Sequence, residues 1–427
     1  MLTTMNIPLL SILVLLFLYL CRNKQSGSEK KRPPFPLGLP IIGSLHQLGS
    51  LPHRSLAHLA KIYGSLMHLK LGRVPILVVS SPKMAELVMK TYDHAFCSRP
   101  ILVPTNYLTN GSTNVAFAPY GSYWCHVRKI CILELLSSKR VQSFRFVRKE
   151  EVGHLVDSIF NNVVCRVALG KSYWEEEPEL REIFESSKSF IGGFFVGDFF
   201  TSLEWEEEEE KDLVDVLLQL QKEGTLISPS LQITSKLLLW QDMFAAGTDT
   251  TATTLVWGMS VLMKNQLEMK KAKDEVHRIA KSNNTNMIEE RLTPILQLHP
   301  PTPLLIPRKS VEDCDIEGYF IPSKTRVLLN AWAIGRQPVN WVDPEVFRLE
   351  RFIGSDIDYK GQDFALIPFG AGRRGCPAIS FAASVIELAL ANLLLCFDWA
   401  LPNGMNHKDL DMTEDSGLTV HKKTLCY

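Results

Sequence analysis

A cysteine stands inside a glycine-rich and cationic stretch, PFGAGRRGCP, at residues 368–377. The three glycines allow backbone dihedral angles that are closed to other residues, and they let the chain approach a ligand closely. Pro377 suits the first turn of a helix, where its missing N–H has no cost, and a long apolar segment follows it. Cys376 is therefore predicted at a helix N-terminus beside Arg373 and Arg374, and both features favour a thiolate over a thiol.

A stabilised thiolate can serve as a nucleophile, as a redox thiol or as a metal ligand. A nucleophile needs a general base, and the sequence identifies no histidine or asparagine partner for Cys376. A redox thiol needs a resolving cysteine, and the nearest downstream one, Cys396, lies about five helical turns away. An axial ligand of haem iron needs neither, and a thiolate there pushes electron density towards O–O cleavage. The alternative is a glycine-rich turn before a core helix with a buried cysteine, and the F-G-x-G-R-R-x-C spacing favours haem ligation over it.

The segment DMFAAGTDTTATTLVW at residues 242–257 is the second unusual stretch. Five of the seven residues 248–254 are threonine, and Gly247 lies inside an otherwise helical pattern. Both residue types are poor choices for a helix interior, because threonine hydroxyls bond back to carbonyls and glycine weakens the hydrogen-bond ladder. Sequences break local preferences mainly where function requires it, so this helix is predicted to line a functional site. The alternative is an ordinary helix that contains unfavourable residues.

These two stretches must be held together by a mostly helical body. Residues 231–263 are predicted to form one long helix and 378–396 another. The segment 66–82 predicts two short strands joined at GRVP, and a further strand is expected at 327–336. No repeat and no flexible linker divides the chain after residue 45. The expected fold class is therefore mostly α with small β-sheets (α+β), in a single globular domain.

The composition excludes several classes of function. The 427 residues are 46% hydrophobic, which is enough for a substantial core. Equal numbers of basic and acidic residues, 46 of each, give no net charge, so no nucleic-acid partner is expected. The nine cysteines show no C-x-x-C spacing, which argues against a disulfide framework and against a structural zinc site. A reducing, cytosol-facing environment fits this cysteine usage better.

An uncharged apolar run occupies residues 5–21, and the basic triplets RNK and KKR follow it. The run is slightly shorter than the roughly 20 residues that span a bilayer, so a cleaved signal peptide is the alternative. No small-residue cleavage site follows the run, and the positive charges after it place the rest of the chain in the cytoplasm. We expect a single transmembrane anchor, a basic and proline-rich hinge at 22–43, and a globular domain at 44–427.

The cysteine loop resembles the haem-binding signature of the cytochrome P-450 superfamily, the haem-thiolate monooxygenases. The resemblance implies that Cys376 is the axial ligand of haem iron, that Phe369 packs beside its sulfur and that Arg374 holds a haem propionate. The family usually has glycine two positions after the cysteine, where this chain has Ala378. The resemblance extends from the proline hinge to GLTVHKK near the C-terminus. In stretches such as EGYFIP and NAWAIGR, the chain is most similar to plant microsomal members that act in specialised metabolism.

The sequence AGTDTT at residues 246–251 is similar to the A-G-x-D-T-T motif of the family's distal helix. By that resemblance, Ala246 and Gly247 leave room for dioxygen above the iron. Thr250 would hydrogen-bond the oxygen that is being activated, and Asp249 would relay protons from solvent. The chemistry needs two protons before the O–O bond breaks, and an acid beside an alcohol is a short proton path.

Supporting motifs lie elsewhere in the chain. Trp124 and Arg128 match the family's W-x-x-x-R helix, whose members pair with a haem propionate, and they share one helix face at i and i+4. Arg308 in PLLIPRKS resembles another propionate-binding arginine. Arg351 in LERF occupies the place of the arginine in the family's P-E-R-F element, which belongs to a salt-bridged scaffold.

The resemblance also implies cofactors and partners. Haem b would be bound, and NADPH would supply electrons indirectly, through NADPH-cytochrome reductase. Lys129, Arg128 and Arg373 could contribute to a cationic face for that reductase. Dioxygen and a small hydrophobic molecule would be the substrates. The chain would sit in the endoplasmic reticulum membrane as a single-pass protein with its catalytic domain in the cytosol.

Two departures from the family pattern bear on activity. The family carries E-x-x-R just before LHPP, and this chain has Pro294-Ile295-Leu296-Gln297 there, so both charges are gone. A proline is expected to interrupt the helix, and Arg351 is expected to lose its partners. The helices that roof the substrate pocket in the family are missing between Trp205 and Leu213.

These departures suggest lost exons or a misassembled gene model. The alternative function is therefore a catalytically inactive remnant of a monooxygenase that cannot hold haem stably. A third hypothesis is a haem-thiolate isomerase or dehydratase that needs no oxygen, and the intact pair Asp249 and Thr250 disfavours it.

Overall fold

The computed structural model describes residues 30–109, 111–151, 230–282, 289–401 and 404–424. The anchor predicted at 5–21 and the shortening of the roof predicted between Trp205 and Leu213 both lie outside the described residues. Within them the chain is mostly helical with three small sheets, which confirms the mixed α+β class. The helices are α1 Pro52–Tyr63, α2 Pro82–Glu86, α3 Val103–Leu108, α4 Ser122–Ile130, α5 Ser138–Ser143, α6 Arg145–Glu151, α7 Ser230–Lys264, α8 Gln266–Ser282, α9 Glu289–Leu298, α10 Ala331–Ile334 and α11 Ile379–Cys396.

The largest sheet has four strands in the order β1-β2-β6-β3. Strands β1 and β2 form the predicted hairpin over 66–82, and β6 adds to β2 in parallel before β3 pairs with β6 antiparallel. Two smaller hairpins are formed by β4 with β5 and by β7 with β8. The strands are β1 Leu66–Leu71, β2 Val74–Val79, β3 Arg308–Lys309, β4 Cys314–Ile316, β5 Tyr319–Ile321, β6 Arg326–Leu329, β7 Glu414–Asp415 and β8 His421–Lys422.

The strand expected at 327–336 is only partly correct. Strand β6 ends at Leu329, and the chain turns at once into the short helix α10. Asn330 causes the change, because its side-chain oxygen accepts the N–H of Ala333 and caps α10. Its amide nitrogen donates to the carbonyl of His53 in α1, so the cap also ties the sheet to α1.

The core is built around α11, which lies against α7, α8 and α9. Among the described helices, α11 is long and apolar enough to cross a membrane, with a mean hydropathy of 2.0, but half of it is buried inside the protein. Its apolar residues face α7 through α9 on several sides, which explains why polar residues are scarce along it. The helix that follows the cysteine loop is therefore a core helix.

The scaffold near α9 differs from the expectation. Helix α9 runs through Pro294 without ending there. Arg351 is not unpaired: its guanidinium donates to the side-chain oxygen of Gln297 at 2.5 Å and to three carbonyl oxygens in the segment 342–346. The amide nitrogen of the fully buried Gln297 donates in turn to the carbonyls of Gly335 and Pro344. The neutral amide of Gln297 thus joins Arg351 to the carbonyls of Gly335 and Pro344, where the family motif uses a charged pair.

We predict that Gln297→Ala lowers the free energy of unfolding by about 2–4 kcal/mol, because it removes an acceptor for Arg351 and a donor to two buried carbonyls. Gln297→Arg, which introduces the residue typical of the family, should also destabilise the protein. It places a second guanidinium beside Arg351, while Pro294 offers no carboxylate to balance it. Denaturant unfolding of the purified full chain measures both effects.

The matched control is Gln337→Ala, which removes one hydrogen bond from the Gln337 amide to the carbonyl of Ser80. It should cost about 1 kcal/mol. Equal losses for the two alanine variants, or a stabilising Gln297→Arg, would contradict the importance of Gln297 as a scaffold residue.

Candidate cofactor-binding site

The cysteine loop is closed by its own backbone. The N–H of Cys376 donates to the carbonyl of Phe369 at 2.9 Å, so the two residues that the motif pairs are adjacent. Gly370 and Gly372 have φ angles of +68° and +67°, which favour glycine. A Cβ atom on Gly372 would lie 2.1 Å from the carbonyl oxygen of Met89. Glycine is therefore required at position 372, because the loop passes close to the backbone of Met89.

The sulfur of Cys376 accepts the backbone N–H of Ala378 at 3.4 Å. Burial raises the pKa of the Cys376 thiol, while this N–H and the charge of Arg128 act in the opposite direction. The prediction that Arg373 and Arg374 favour the thiolate is therefore not supported, because both guanidinium groups hydrogen-bond elsewhere. Coordination to a metal deprotonates a thiol outright, so the buried position remains suited to a metal ligand.

The ring of Phe369 lies 5.8 Å from that of Tyr359 and packs against the core. The loop's backbone bond brings Phe369 next to Cys376. Ala378, the departure from the family's glycine, ends the loop as the residue before α11, and its N–H reaches the sulfur. Packing of Phe369 against the sulfur stays a prediction.

Four buried or half-buried arginines converge behind the cysteine loop: Arg99, Arg128, Arg308 and Arg374. Burial and the charges of the other three members lower the pKa of Arg99 well below its usual value. Burial lowers the pKa of Arg374 to about 10, with the charges of Arg308 and Arg128 acting in the same direction. Like charges that are close enough to disfavour one another's ionisation are costly inside a protein. We call these four residues the arginine cluster.

Arg374 is the member with an unused donor. Its Nε donates to the carbonyl of Cys97 at 2.6 Å and one terminal nitrogen donates to that of Ala118 at 2.7 Å. The other terminal nitrogen, Nη1, is buried and has no hydrogen-bond partner in the protein. The guanidinium carbon lies 3.9 Å above the ring of Trp124. A buried guanidinium N–H without a protein acceptor indicates an anionic group that the protein itself does not provide.

The predicted face of Trp124 and Arg128 is confirmed, because Arg128 lies over the same ring at 5.3 Å. However, the Trp124 indole N–H donates to the carbonyl of Val115, and Arg128 donates to that of Gly375 at 2.6 Å. Trp124 therefore supports two guanidinium groups through its ring, and Arg128 ties α4 to the cysteine loop. Whether either contacts a propionate stays a prediction.

Sequence reasoning missed Asp93, a buried carboxylate beside the cluster. One oxygen accepts Arg308 at 3.1 Å, and the other accepts both the backbone N–H and the guanidinium of Arg373. The other terminal nitrogen of Arg308, Nη2, donates to the carbonyl of Ala371. Arg308 thus ties the cysteine loop to Asp93, and its contact with a propionate stays a prediction. No spacing around Asp93 in the sequence indicates this pairing.

Asp242 was also missed, although it opens the threonine-rich segment. Its carboxylate accepts the backbone N–H of Val115 at 2.6 Å and the side-chain amide of Asn114 at 2.8 Å. Carbonyls of the same loop, residues 114–118, accept Trp124 and two members of the arginine cluster. Asp242 therefore links the long helix α7 to the loop that orients the cluster. Burial raises the pKa of Asp242 to about 7.

The distal segment is helical within α7, as predicted. The hydroxyl of Thr250 donates to the carbonyl of Ala246 at 2.7 Å, and Thr254 repeats this bond to Thr250. Ala246 is exposed and Gly247 is half-buried, so the surface beside Thr250 is open. A threonine hydroxyl bonded to the carbonyl one turn earlier distorts the helix locally.

Asp249 faces the C-terminal hairpin. Its carboxylate lies 3.5 Å from the Nε2 atom of His421 in β8, and the Nδ1 atom of His421 lies 2.9 Å from the Thr253 hydroxyl. Asp249 is buried, whereas the side chain of His421 is 45% exposed. An imidazole therefore stands between the buried acid and solvent, and the sequence reading did not identify it.

The residues present fit a haem. The predicted helix N-terminus at Cys376 is displaced, because α11 begins at Ile379 with Ala378 as its N-cap, and Pro377 lies before the first turn. The Cys376 sulfur, three residues before α11, supplies a single ligand, and the arginine cluster supplies excess positive charge and an unused N–H for two carboxylates. These features belong to the protein alone and favour the binding of an anionic group.

Comparison with known proteins gives the family. A sequence model described as Cytochrome P450 matches residues 33–196 and 194–427. Cytochrome P450 71AP13 of Prunus mume is 44% identical over 96% of this chain and 92% of its own length. Strychnine-11-hydroxylase of Strychnos nux-vomica is 41% identical, covering 95% and 93%, and phenylacetaldehyde oxime monooxygenase CYP71AN24 of Prunus mume is 40% identical, covering 99% and 93%. The chain belongs to the cytochrome P450 family of plants, and it is a haem-thiolate monooxygenase.

The same comparisons bear on the chain's length. The alignment with the 71AP13 protein extends over 476 positions, more than the 427 residues of this chain, so that relative has residues without a counterpart here. The two segments of the family match meet at residues 194–196, close to the stretch where the roof is expected to be shortened.

We predict that the buried carboxyl of Asp242 makes stability fall with rising pH. Its pKa rises from 3.8 to about 7 on folding, so between about pH 4 and pH 7 the folded chain holds a proton that the unfolded chain has lost. Stability therefore decreases across that window, by at most about 1.4 kcal/mol per pH unit from this group. Asp242→Asn should flatten the decrease, as measured by urea unfolding at several pH values.

The exposed Asp356 provides the control. Asp356→Asn should give a pH dependence parallel to that of the unsubstituted chain. If Asp242→Asn also gives a parallel curve, the carboxyl does not titrate in this window and the assignment is wrong.

Proposed function

We propose that this chain inserts one oxygen atom from O2 into a small hydrophobic substrate of plant specialised metabolism. Electrons would come from NADPH through NADPH-cytochrome reductase, and the anchor at 5–21 would hold the enzyme at the endoplasmic reticulum membrane. The relatives carry names of different substrates, strychnine and phenylacetaldehyde oxime among them, so they support the reaction class and not one substrate.

The unpaired Nη1 of Arg374 within the arginine cluster is the observation that carries this proposal. Cys376 would hold the haem iron, while Arg374 and Arg128 would meet the propionates, with Arg308 fixing the loop below. The haem, when bound, supplies the iron at which dioxygen is activated. The protein would contribute the sulfur ligand, the balancing charge and the surface of α7 that carries Thr250.

Residues of α7 would deliver the protons. The Thr250 hydroxyl donates to the Ala246 carbonyl, and rotation about its side-chain bond would free it to donate to a molecule beside Gly247. Asp249 is the adjacent acid, and His421 would connect it with solvent, because the imidazole contacts both Asp249 and Thr253 while remaining half exposed. An acid and an alcohol in sequence move a proton over a short distance.

The surface around the cysteine loop supports binding of a reductase. Lys129 in α4 and Arg373 in the cysteine loop are exposed and positively charged. Arg373 is close to Cys376 in the sequence, and Lys129 lies on the helix that adjoins the loop. Arg128 contributes less, because it is half buried and donates to the carbonyl of Gly375. Charge complementarity of this kind mainly accelerates association.

The competing function is a chain that cannot retain haem. Two observations favour this alternative. The 71AP13 relative has residues without a counterpart in this chain, and the charged scaffold pair of the family is replaced by Pro294 and Gln297. The hydrogen bonds that Gln297 makes argue against a collapsed scaffold.

We predict that the reduced full chain, treated with carbon monoxide, shows the red-shifted Soret band of thiolate-ligated haem. Cys376→Ser should abolish that band because an alcohol does not supply a thiolate. Cys125→Ser, at an exposed cysteine, is the matched control and should leave the band unchanged. A chain without the band supports the inactive remnant, and a band that survives Cys376→Ser would contradict the ligand assignment.

We further predict that Thr250→Ala diverts reducing equivalents to hydrogen peroxide. Loss of the hydroxyl should lower the ratio of product formed to NADPH consumed, because a positioned proton-transfer group accelerates its step by about 10²–10⁴-fold. Thr254→Ala, which removes a similar hydroxyl one turn further on, is the control. Unchanged coupling in Thr250→Ala would remove Thr250 from proton delivery.

A further inference from the structure

The last hairpin of the chain lies between two helices that are far apart in sequence. Strands β7 and β8 pair so that Glu414 is opposite Lys422 and Asp415 is opposite His421. Strand β8 packs against the long helix α7, and the side chain of Glu414 in β7 reaches α1. The hairpin therefore connects α1 with the helix that carries Asp249.

Three contacts attach the β8 side of the hairpin to the core. The indole N–H of Trp257 in α7 donates to the carbonyl of Val420 at 2.9 Å, and the N–H of Val420 donates to the carbonyl of Pro301 at 2.8 Å. The Nδ1 atom of His421 lies 2.9 Å from the Thr253 hydroxyl. Because Trp257 and Val420 are buried, this side of the hairpin is part of the core.

The attachment to α1 is an ion pair that involves a buried carboxylate. The Nε atom of Arg54 donates to one oxygen of Glu414 at 2.7 Å, and its Nη2 atom donates to the other at 3.0 Å. The Nε2 atom of His53 lies 3.1 Å from the first oxygen, and the side chains of Glu414 and His53 are only 4% and 2% exposed. Burial alone would raise the pKa of Glu414, but the bonds with His53 and Arg54 outweigh burial and lower the pKa to about 2. The carboxylate is therefore charged at neutral pH.

Helix α1 is a fixed support for this ion pair. The carbonyl of His53 accepts the side-chain amide of Asn330, which caps α10 at the end of β6. The ring of Trp332 in α10 lies 5.5 Å from the ring of His53 and 5.0 Å from the guanidinium carbon of Arg54. Both residues that bind Glu414 are themselves held by α10, so the bond to them fixes the position of β7.

The gap between His421 and Asp249 depends on where the hairpin lies. The Nε2 atom of His421 is 3.5 Å from a carboxylate oxygen of Asp249. A proton passes directly between heavy atoms about 2.6–3.2 Å apart, or through one water, so the observed distance is at the limit of transfer. A small displacement of the hairpin would lengthen the gap and interrupt the path. Transfer through His421 therefore requires a hairpin that is held on both sides.

We propose that Glu414 is a positioning residue for proton delivery. By binding α1, it holds the hairpin so that His421 stays within reach of Asp249. Nε2 of His421 would take a proton from solvent and pass it to the carboxylate of Asp249, while Nδ1 keeps its hydrogen for the Thr253 hydroxyl. The carboxyl group then releases that proton towards Thr250, which restores the carboxylate. The inference rests on the proposed function and adds a residue that contacts neither α7 nor the substrate.

The first measurement is hydrogen exchange at the buried Val420 amide of the full chain, which reports how firmly the hairpin is held and needs no haem. Glu414→Ala should accelerate this exchange by about 10- to 100-fold, the factor that corresponds to the loss of a hydrogen bond to a charged group. Glu414→Gln keeps an acceptor oxygen for Arg54 and should give a smaller acceleration. It also replaces Glu414→Ala in the experiment if that variant does not fold.

A double-mutant cycle separates positioning from general stability. The readout is the hydrogen peroxide released per NADPH consumed, in the presence of the small hydrophobic probe 7-ethoxycoumarin. His421→Gln keeps a hydrogen-bonding side chain but cannot carry the proton, so it should raise the peroxide ratio. Glu414→Gln should raise the ratio in the unsubstituted chain and leave it unchanged in the His421→Gln chain, because its effect passes through the imidazole. Additive increases would show a merely structural role and overturn the proposal.

Two variants serve as controls. Glu317→Gln removes the charge of an exposed carboxylate that is paired with Lys83, and it should change neither readout. Ser310→Ala removes a buried hydroxyl that bonds the carbonyl of Pro322 and the N–H of Thr325. It lowers the stability of the whole protein without touching the hairpin, and it should leave the peroxide ratio unchanged.

The remaining outcomes distinguish this inference from the proposed function. Unaltered exchange at Val420 in Glu414→Ala would overturn the positioning role, and so would faster exchange with an unaltered peroxide ratio in Glu414→Gln. A chain without the carbon monoxide band contradicts the proposed function, whereas the exchange at Val420 still decides whether Glu414 holds the hairpin.

Discussion

The repulsion among four arginines behind the cysteine loop is the constraint on which the site depends. Buried guanidinium groups are costly without a balancing anion, and Asp93 balances part of that charge through Arg308 and Arg373. The remaining excess, together with the unpaired nitrogen of Arg374, gives the fold a place for a dianionic cofactor. A protein that binds such a cofactor gains stability from it, because the ligand binds the folded state alone.

The surrounding elements follow from that constraint. The loop at 114–118 accepts donors from Trp124, Arg99 and Arg374 through its carbonyls, and Asp242 holds the loop to the long helix α7. The helix that positions Asp249 and Thr250 is thereby linked to the side chains expected to hold the propionates. In the scaffold near α9, the uncharged amide of Gln297 accepts the guanidinium of Arg351, so the loss of a charged pair does not leave Arg351 without partners.

Local patterns in the sequence predicted much of this arrangement. The apolar spacing gave the long helix, the W-x-x-x-R face and the hairpin at 66–82, because each depends on residues that are close along the chain. The pairings that complete the site connect residues far apart in sequence: Asp93 with Arg308 across 215 positions, and Asp242 with Asn114 across 128. Periodicity carries no information about such pairs. The expected strand at 327–336 was partly wrong because Asn330 ends it with a helix cap, and Arg351 was expected to be unpaired because an amide was not considered as its acceptor.

The most direct measurement is the increase in melting temperature that haem produces, compared between the unsubstituted chain and Arg374→Met. The melting temperature of each protein is measured with and without haem. The carbonyls of Cys97 and Ala118, which lose their donor in Arg374→Met, therefore affect both measurements of that variant equally. We expect a smaller haem-induced increase in Arg374→Met. The increase should be unchanged in Arg148→Met, which replaces a buried arginine bonded to the carbonyl of Val141. An equal increase in all three proteins would show that the arginine cluster does not hold the cofactor.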